Sequence, residues 1–367
     1  MALPDAQTLA AVPFHFWSVV FFIFGSLVGS FLNVCIHRMP RNLSVVNPPS
    51  HCPQCGYAIP FYLNIPLVTW LYLRGKCANC QAAISVRYFI VELLTALAFL
   101  SCWLGFGHAS AGQAIVYCVV LAGFIAATFI DFEHFIIPDE ITLGGIAVGF
   151  VCSFLVPALH GTRTAAEALR ESFWGIAVGG GLVYGILRLG KVLFGRQRFE
   201  LEPDSRVIFL ETSLVLPDRE VPYEEVFYRK SDTILLQARR LEMIDRCYVE
   251  APVRLSPLKL KVGEDEFDPE HVRHLEARTS EITIPREAMG FGDVKFMAAI
   301  GAFIGWQGAV FSLMASAIVG AVVGVTLIVC RKREWSSRLP YGPYIALAAT
   351  AWIFGGQRLV LAWLAAR

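Results

Sequence analysis

The sequence predicts an all-α polytopic membrane protein of about eight transmembrane helices, interrupted by a small β-rich soluble insert. Three observations predict it. Of the 367 residues 56% are hydrophobic and the mean hydropathy is +0.56, a composition that no ordinary soluble domain carries. Several apolar stretches approach the roughly 20 residues that a bilayer core of about 30 Å demands, and most are nearly free of charge. Between about Gly195 and Arg286 the composition turns to charged, alternating runs such as "RVIFLETSLVL" and "TILLQARRLEM". The formal net charge is only +1 and no basic stripe with interleaved aromatics occurs, which argues against nucleic acid as a partner.

The apolar stretches run approximately over 14–36, 88–106, 113–130, 141–159, 172–190, 294–307, 308–330 and 343–364. Only "GWQG" separates the sixth from the seventh, with Gly305 and Gly308 as turn residues. The first lacks a basic start and runs on into "GSFLNVCIHRMP", so it reads as a retained helix rather than a cleaved signal. Lysine and arginine gather on the cytoplasmic side of membrane helices. Arg38, Arg41, Arg74, Lys76 and Arg87 crowd the first loop; Arg188, Lys191, Arg196 and Arg198 follow the fifth helix; Arg331, Lys332, Arg333 and Arg338 follow the seventh. All three clusters fall on one side of an eight-helix topology, which makes that side cytoplasmic.

The organisation that follows is a first helix over 1–36, a cytoplasmic loop over 37–87, helices two to five over 88–190, a soluble insert over 191–286, and helices six to eight over 287–367. The insert carries no site chemistry and reads as a cytoplasmic decoration or a partner-binding module.

The first loop holds the sharpest local pattern. Cys52 and Cys55 in "HCPQCG" and Cys77 and Cys80 in "GKCANC" are two CxxC pairs. Each CxxC turn presents two sulfurs to one ion, and two turns complete a tetrahedral Cys₄ shell, so the expectation is a structural zinc-binding loop. Two disulfides or a redox dithiol are the alternative, and a positive-inside loop lies in a reducing compartment where disulfides rarely persist. The remaining cysteines, Cys35, Cys102, Cys118, Cys152, Cys247 and Cys330, are scattered and read as small hydrophobes.

Carboxylates at a membrane edge are costly, which makes them functional candidates. Asp293 opens the sixth helix in "GFGDVK", and "FIDFEHFIIPDEITL" places Asp131, Glu133, His134, Asp139 and Glu140 between the third and fourth helices on the same face. Two carboxyl groups sharing a site can hold one proton between them, an ionised base to activate water and a protonated acid to polarise a carbonyl. Asp139, after Pro138 and before an apolar run, suits a helix N-cap. Asp131 ends an apolar helix, where its charge opposes the macrodipole and gains no cap. It therefore pairs with Asp293 as the expected dyad, with Asp139 in support. The same dipole argument makes Asp293 the base and Asp131 the proton holder. Gly290 and Gly292 would let the chain turn and a substrate strand approach. Lys295 pairs with a loop acid or snorkels to headgroups.

These residues carry a resemblance. "GFGDVK" with upstream "IDFEHFIIPD", preceded by "GSFLNVCIHRMP", "CPQCG", "NIPLVTWLYLRGKCANC" and "ISVRYFIVELLTA", resembles the bacterial type IV prepilin peptidases, in order and over nearly all the chain outside the insert. The resemblance implies a GxGD-type aspartic protease of the bacterial inner (cytoplasmic) membrane, multi-pass, with its site toward the cytoplasm. It would cut the leader from type IV prepilins or pseudopilins and often methylate the new N-terminus from S-adenosylmethionine. Asp131 and Asp293 match the catalytic aspartates, and the four loop cysteines match the family's zinc-type tetrad. No glycine-rich nucleotide fingerprint is present, so the methyl-donor positions come from the resemblance alone: Gly75 and Lys76 in "RGKC", otherwise a turn glycine and a surface lysine. Glu92, in "VELL", would receive a positive group such as the pilin amine, or pair with Arg87. Phe89 stands where the family commonly has proline. The insert is the larger departure and could gate the entrance or dock a pilus or secretion assembly component. The rival readings are a membrane carrier or assembly scaffold, whose acids belong nearer the bilayer midplane, and a GxGD protease of other substrates.

Overall fold

The computed structural model describes residues 13–223, 226–227, 232–272, 274–285, 290–330 and 339–358. Eight α-helices occur among them: α1 Phe14–Arg38, α2 Val68–Tyr72, α3 Val86–Phe106, α4 Ala111–His134, α5 Asp139–Leu155, α6 Ala165–Phe194, α7 Phe291–Val329 and α8 Gly342–Ala351. Five stretches are long and apolar enough to cross a membrane: Phe14–Arg41, Val86–Phe106, Ala111–His134, Ala165–Val192 and Phe291–Val329. Their outer faces expose Phe24, Leu27, Val119, Phe173, Ile318 and Val322. That is the reverse of a water-soluble bundle and suits lipid contact.

The expected sixth and seventh helices form one 39-residue element, but the chain still breaks where "GWQG" was read, with Gly305 at φ 72° and ψ 177° inside it. Only glycine adopts that backbone without strain. The expected eighth helix is regular only from Gly342 to Ala351 and continues as a π-helical stretch, Trp352–Gly356. Residues 359–364, and the third basic cluster Arg331, Lys332, Arg333 and Arg338, lie outside the described residues. Of the first cluster, Arg38 is buried rather than free, donating to the Ser44 carbonyl at 2.9 Å and the Pro48 carbonyl at 2.7 Å.

Two compact units result, Met1–Tyr184 with Gly290–Arg367, and Gly185–Met289. In the first, α1 packs along α3, and Trp103 donates to the Phe14 carbonyl at 3.2 Å. α6 and α7 approach backbone to backbone, because small residues line their contact: a Cβ at Gly175 would lie 1.9 Å from the Gly301 carbonyl oxygen, and Gly149 of α5 lets the Ala302 methyl of α7 close in. α7 then packs on α8, and Phe124 of α4 meets Phe296 of α7 edge-on at 5.6 Å.

The second unit is an eight-stranded antiparallel sheet: β1 Arg196–Phe209, β2 Ser213–Val215, β3 Glu220–Pro222, β4 Ile234–Met243, β5 Cys247–Leu255, β6 Leu260–Val262, β7 Asp265–Phe267 and β8 Leu275–Pro285. The spatial order is β3-β2-β1-β8-β4-β5-β6-β7. Val207, Leu214, Ile234, Leu241, Leu260 and Ile282 form its dry centre. The edge strands are three residues each, short enough to limit pairing with other chains. Its first and last strands are partners, with Arg196 opposite Pro285. The chain therefore enters and leaves the sheet at one place. A single 3₁₀ turn, Pro269–His271, is the helical content among its described residues once α6 has ended and before α7 begins, apart from Tyr223.

Candidate active site

α4 stops where Phe135 takes a left-handed conformation, φ 55°, and returns its N–H to the Asp131 carbonyl at 3.0 Å. The following segment turns back through buried Ile137 into α5. Ile137 wedges between two helix starts: its Cβ lies 3.6 Å from the place a Cβ would occupy on Gly292, and its Cδ1 lies 3.1 Å from that place on Gly342. Those are the beginnings of α7 and α8. Asp131 and Asp293, 5% and 9% exposed, are thereby brought near enough to interact electrostatically.

Gly342 was invisible as a site residue in the sequence. Its backbone N–H donates to Asp131 Oδ2 at 2.8 Å in a buried hydrogen bond. This corrects the premise that Asp131 meets only the unfavourable end of a helix, since the N-terminus of α8 faces it with a donor. The helix ends consequently give no basis for choosing which aspartate holds the proton. Tyr341, just before α8, bonds Ser316 of α7 at 3.0 Å between hydroxyls and interacts electrostatically with Asp293.

The supporting residues fall out differently from expectation. Asp139 begins α5 but makes no capping bond; it pairs with Lys295 at 2.6 Å, which resolves the choice for Lys295. Pro138 occupies the N-cap position, which puts Asp139 inside the first turn rather than at the cap. Gly290 is extended at φ −72° and neither it nor Gly292 has positive φ, so no sharp turn depends on them. Arg87 pairs with Glu133, not Glu92. Glu92 Oε2 instead accepts from the Leu67 N–H at 2.7 Å.

The cysteine loop is two knuckles. Cys52 and Cys77 each close a turn, receiving Gly56 N–H at 2.9 Å and Gln81 N–H at 3.1 Å, with Gly56 and Gln81 both at positive φ. All four sulfurs lie within 4.8 Å of one another, with Cys52–Cys80 at 3.8 Å and Cys55–Cys77 at 4.0 Å. A tetrahedral shell at about 2.3 Å sets sulfurs about 3.8 Å apart, so this donor set can hold a metal ion. None of the four is in a disulfide. Backbone groups of the knuckle turns draw the Cys55 and Cys77 thiols down, Tyr57 foremost for Cys55, while at Cys80 the backbone pull is outweighed by burial and the other three thiols, which push that thiol up.

Gly75, φ 68°, is no open cradle. A Cβ there would meet the Trp70 indole at 2.9 Å, and Lys76 bridges to Ala83 in the second knuckle. Trp70 Nε1 is buried without an acceptor, an unspent donor beside Gly75, and its ring packs on Phe89 at 5.2 Å.

Residues 23–106 match the bacterial peptidase A24 N-terminal domain, and residues 118–197 and 279–325 match the type IV leader peptidase family. A prepilin leader peptidase/N-methyltransferase of Myxococcus xanthus is 38% identical over 176 residues, covering 47% of this chain and half the length of that relative. The same-named protein of Aeromonas hydrophila is 29% identical over 366 residues, covering 93% of this chain and 91% of its own, and that of Pseudomonas aeruginosa is 26% identical over 99% and 98%. No solved structure is matched. The two family models follow one another along the bundle, and the second is interrupted around the sheet: this chain belongs to the type IV leader peptidase family.

Proposed function

We propose that this protein is a membrane-embedded aspartic endopeptidase that removes the leader of type IV prepilins or pseudopilins and then N-methylates the new N-terminus. The observation that carries the reading is that Asp131 and Asp293, both buried and 162 positions apart in sequence, come close enough at the starts of α7 and α8 to act on one another electrostatically. Two carboxyl groups in mutual reach share a proton: the ionised one takes a proton from water as it attacks the scissile carbonyl, and the protonated one donates to the carbonyl oxygen. Both acids lie at helix ends, where a substrate helix in the membrane can stop and its hydrophilic leader junction can reach them. The site faces the cytoplasm in the topology the basic loops favour, in the inner membrane.

The four loop thiolates hold a structural zinc ion in this reading, stapling a segment with little apolar core. S-adenosylmethionine supplies the electrophilic methyl group when bound. Trp70 Nε1 would offer it a donor, with Gly75 giving the indole room and Lys76 leading from that turn into the second knuckle. The sheet unit offers a surface to pilus or secretion assembly components.

Mass spectrometry of a prepilin incubated with lipid-reconstituted protein and S-adenosylmethionine tests the reading, alongside Asp131→Ala and Asp293→Ala. Leader loss by the wild type alone and a further methyl mass are expected. Cleavage retained in either variant would remove that aspartate from the mechanism. No cleavage of several prepilins would favour a carrier or scaffold.

A further inference from the structure

We propose that Gly342 is a positioning residue for peptide cleavage, its backbone N–H fixing one carboxylate oxygen of Asp131 and its missing side chain making that approach possible. The inference rests on the reading of Asp131 as catalytic. Three observations carry it.

The first is the contact itself, Gly342 N–H to Asp131 Oδ2 at 2.8 Å, buried. This amide is the first of α8, and the opening N–H groups of a helix have no partner within it. Asp131 supplies that partner from α4. The second is space. A Cβ on Gly342 would stand 2.8 Å from the same Oδ2, 3.1 Å from Ile137 Cδ1 and 3.4 Å from Asp131 Cγ, so the carboxylate or the helix would have to move. The third is that nothing in the backbone requires glycine here: Gly342 is helical and is absent from the residues with positive φ. In a helix interior an alanine is favoured over a glycine by about 1 kcal/mol, and no backbone need offsets that preference at this helical position. The position gives up that gain, and the carboxylate contact is what it gains instead.

Tyr341 and Pro343 bracket the amide. The Tyr341 hydroxyl is tied to Ser316, and Pro343 stands in the first turn of α8, where its lack of an N–H costs nothing. The donor is thus held from both sides. A carboxylate with one oxygen pinned cannot rotate freely, so its orientation beside Asp293 is fixed. A rotated carboxylate would present neither lone pair in line, and displacements of about 1 Å in such sites cost up to about a hundred-fold in rate.

The test has two arms. In the first, prepilin cleavage kinetics are measured for wild type, Gly342→Ala, Asp131→Ala and a control, Gly181→Ala, whose added methyl meets nothing within 4 Å. Gly342→Ala is expected to lower kcat by about ten- to a hundred-fold with KM within about two-fold, in a protein that still folds and melts cooperatively in detergent. Gly181→Ala is expected to match wild-type kinetics. Unchanged kcat in Gly342→Ala overturns the proposal, as does a loss shared equally with Gly181→Ala. Asp131→Ala that still cleaves defeats the underlying dyad reading instead, so the two failures are separable.

The second arm does not need Gly342→Ala to fold. Hydrogen exchange at the Gly342 amide, resolved by fragmentation, is followed in wild type, Asp131→Asn and Asp131→Ala. Because this amide has no intrahelical acceptor, its protection reports the Asp131 contact. Protection in wild type and in Asp131→Asn, whose carbonyl oxygen still accepts, and its loss in Asp131→Ala are expected. Equal exchange in wild type and Asp131→Ala overturns the proposal.

Discussion

Glu92 reaches out of α3 to accept a 2.7 Å hydrogen bond from the backbone N–H of Leu67, and Leu67 holds φ at 63°, a conformation a leucine rarely adopts. A membrane helix thus fastens a strained point of the loop just before α2. Glu92→Ala orphans the Leu67 N–H and should cost about 1–3 kcal/mol. Hydrogen exchange should rise around Leu67 and α2, and Glu92→Gln, which still offers an oxygen, should restore most of the protection. Unaltered exchange in Glu92→Ala would show that the loop holds its shape without the carboxylate.

The cysteine loop should carry about one zinc ion per chain by elemental analysis. Cys55→Ser should reduce that content sharply and expose 37–87 to protease. Chelation of the wild type should do the same. Retained metal in Cys55→Ser would place the ion elsewhere.

Asp139 and Lys295 form an ion pair whose side chains are 59% and 24% exposed, so water screens it. Asp139→Ala and Lys295→Ala should each change stability by no more than about 1 kcal/mol and leave cleavage within a few-fold of wild type. Asp131→Ala and Asp293→Ala should abolish it. An Asp139→Ala variant as inactive as Asp131→Ala would mean that Asp139 belongs to the chemistry.

His160, beyond the end of α5, bonds Ser153 at 2.9 Å, and burial holds its imidazole down to about 4. An unfolded histidine protonates near pH 6.5. Between those values the unfolded chain binds more protons, so this residue's contribution is complete above about pH 6.5 and lost as pH falls toward 4. Melting in detergent should therefore fall more between pH 7 and pH 5 in wild type than in His160→Gln. Equal pH slopes in the two proteins would rule His160 out as the sensing group.

Much of the site was written in local pattern. CxxC spacing announces a thiolate cluster because two turns and one ion need only neighbouring residues. Asp131 and Asp293 stood out because a membrane edge makes any carboxylate expensive. Gly305 could be read as a break because glycine between apolar runs has a local reason. The partners of the charged groups were not legible. Asp139 looked like a cap and became an ion pair, and Glu92 passed over Arg87 to reach a loop amide. Helix spacing says which side chains share a face, but says nothing of a backbone N–H that another segment brings alongside.

The sequence by itself determined that the chain is mostly apolar helix with a charged β insert, that four cysteines cluster, and that two aspartates lie near helix ends, since each follows from periodicity, composition or short spacing. Only the tertiary structure decided that Ile137 wedges the starts of α7 and α8 together and that Gly342, 211 positions from Asp131, supplies its donor. A glycine has no side chain to advertise a role. Its amide acquires one when close packing of distant helices puts an acceptor in front of it.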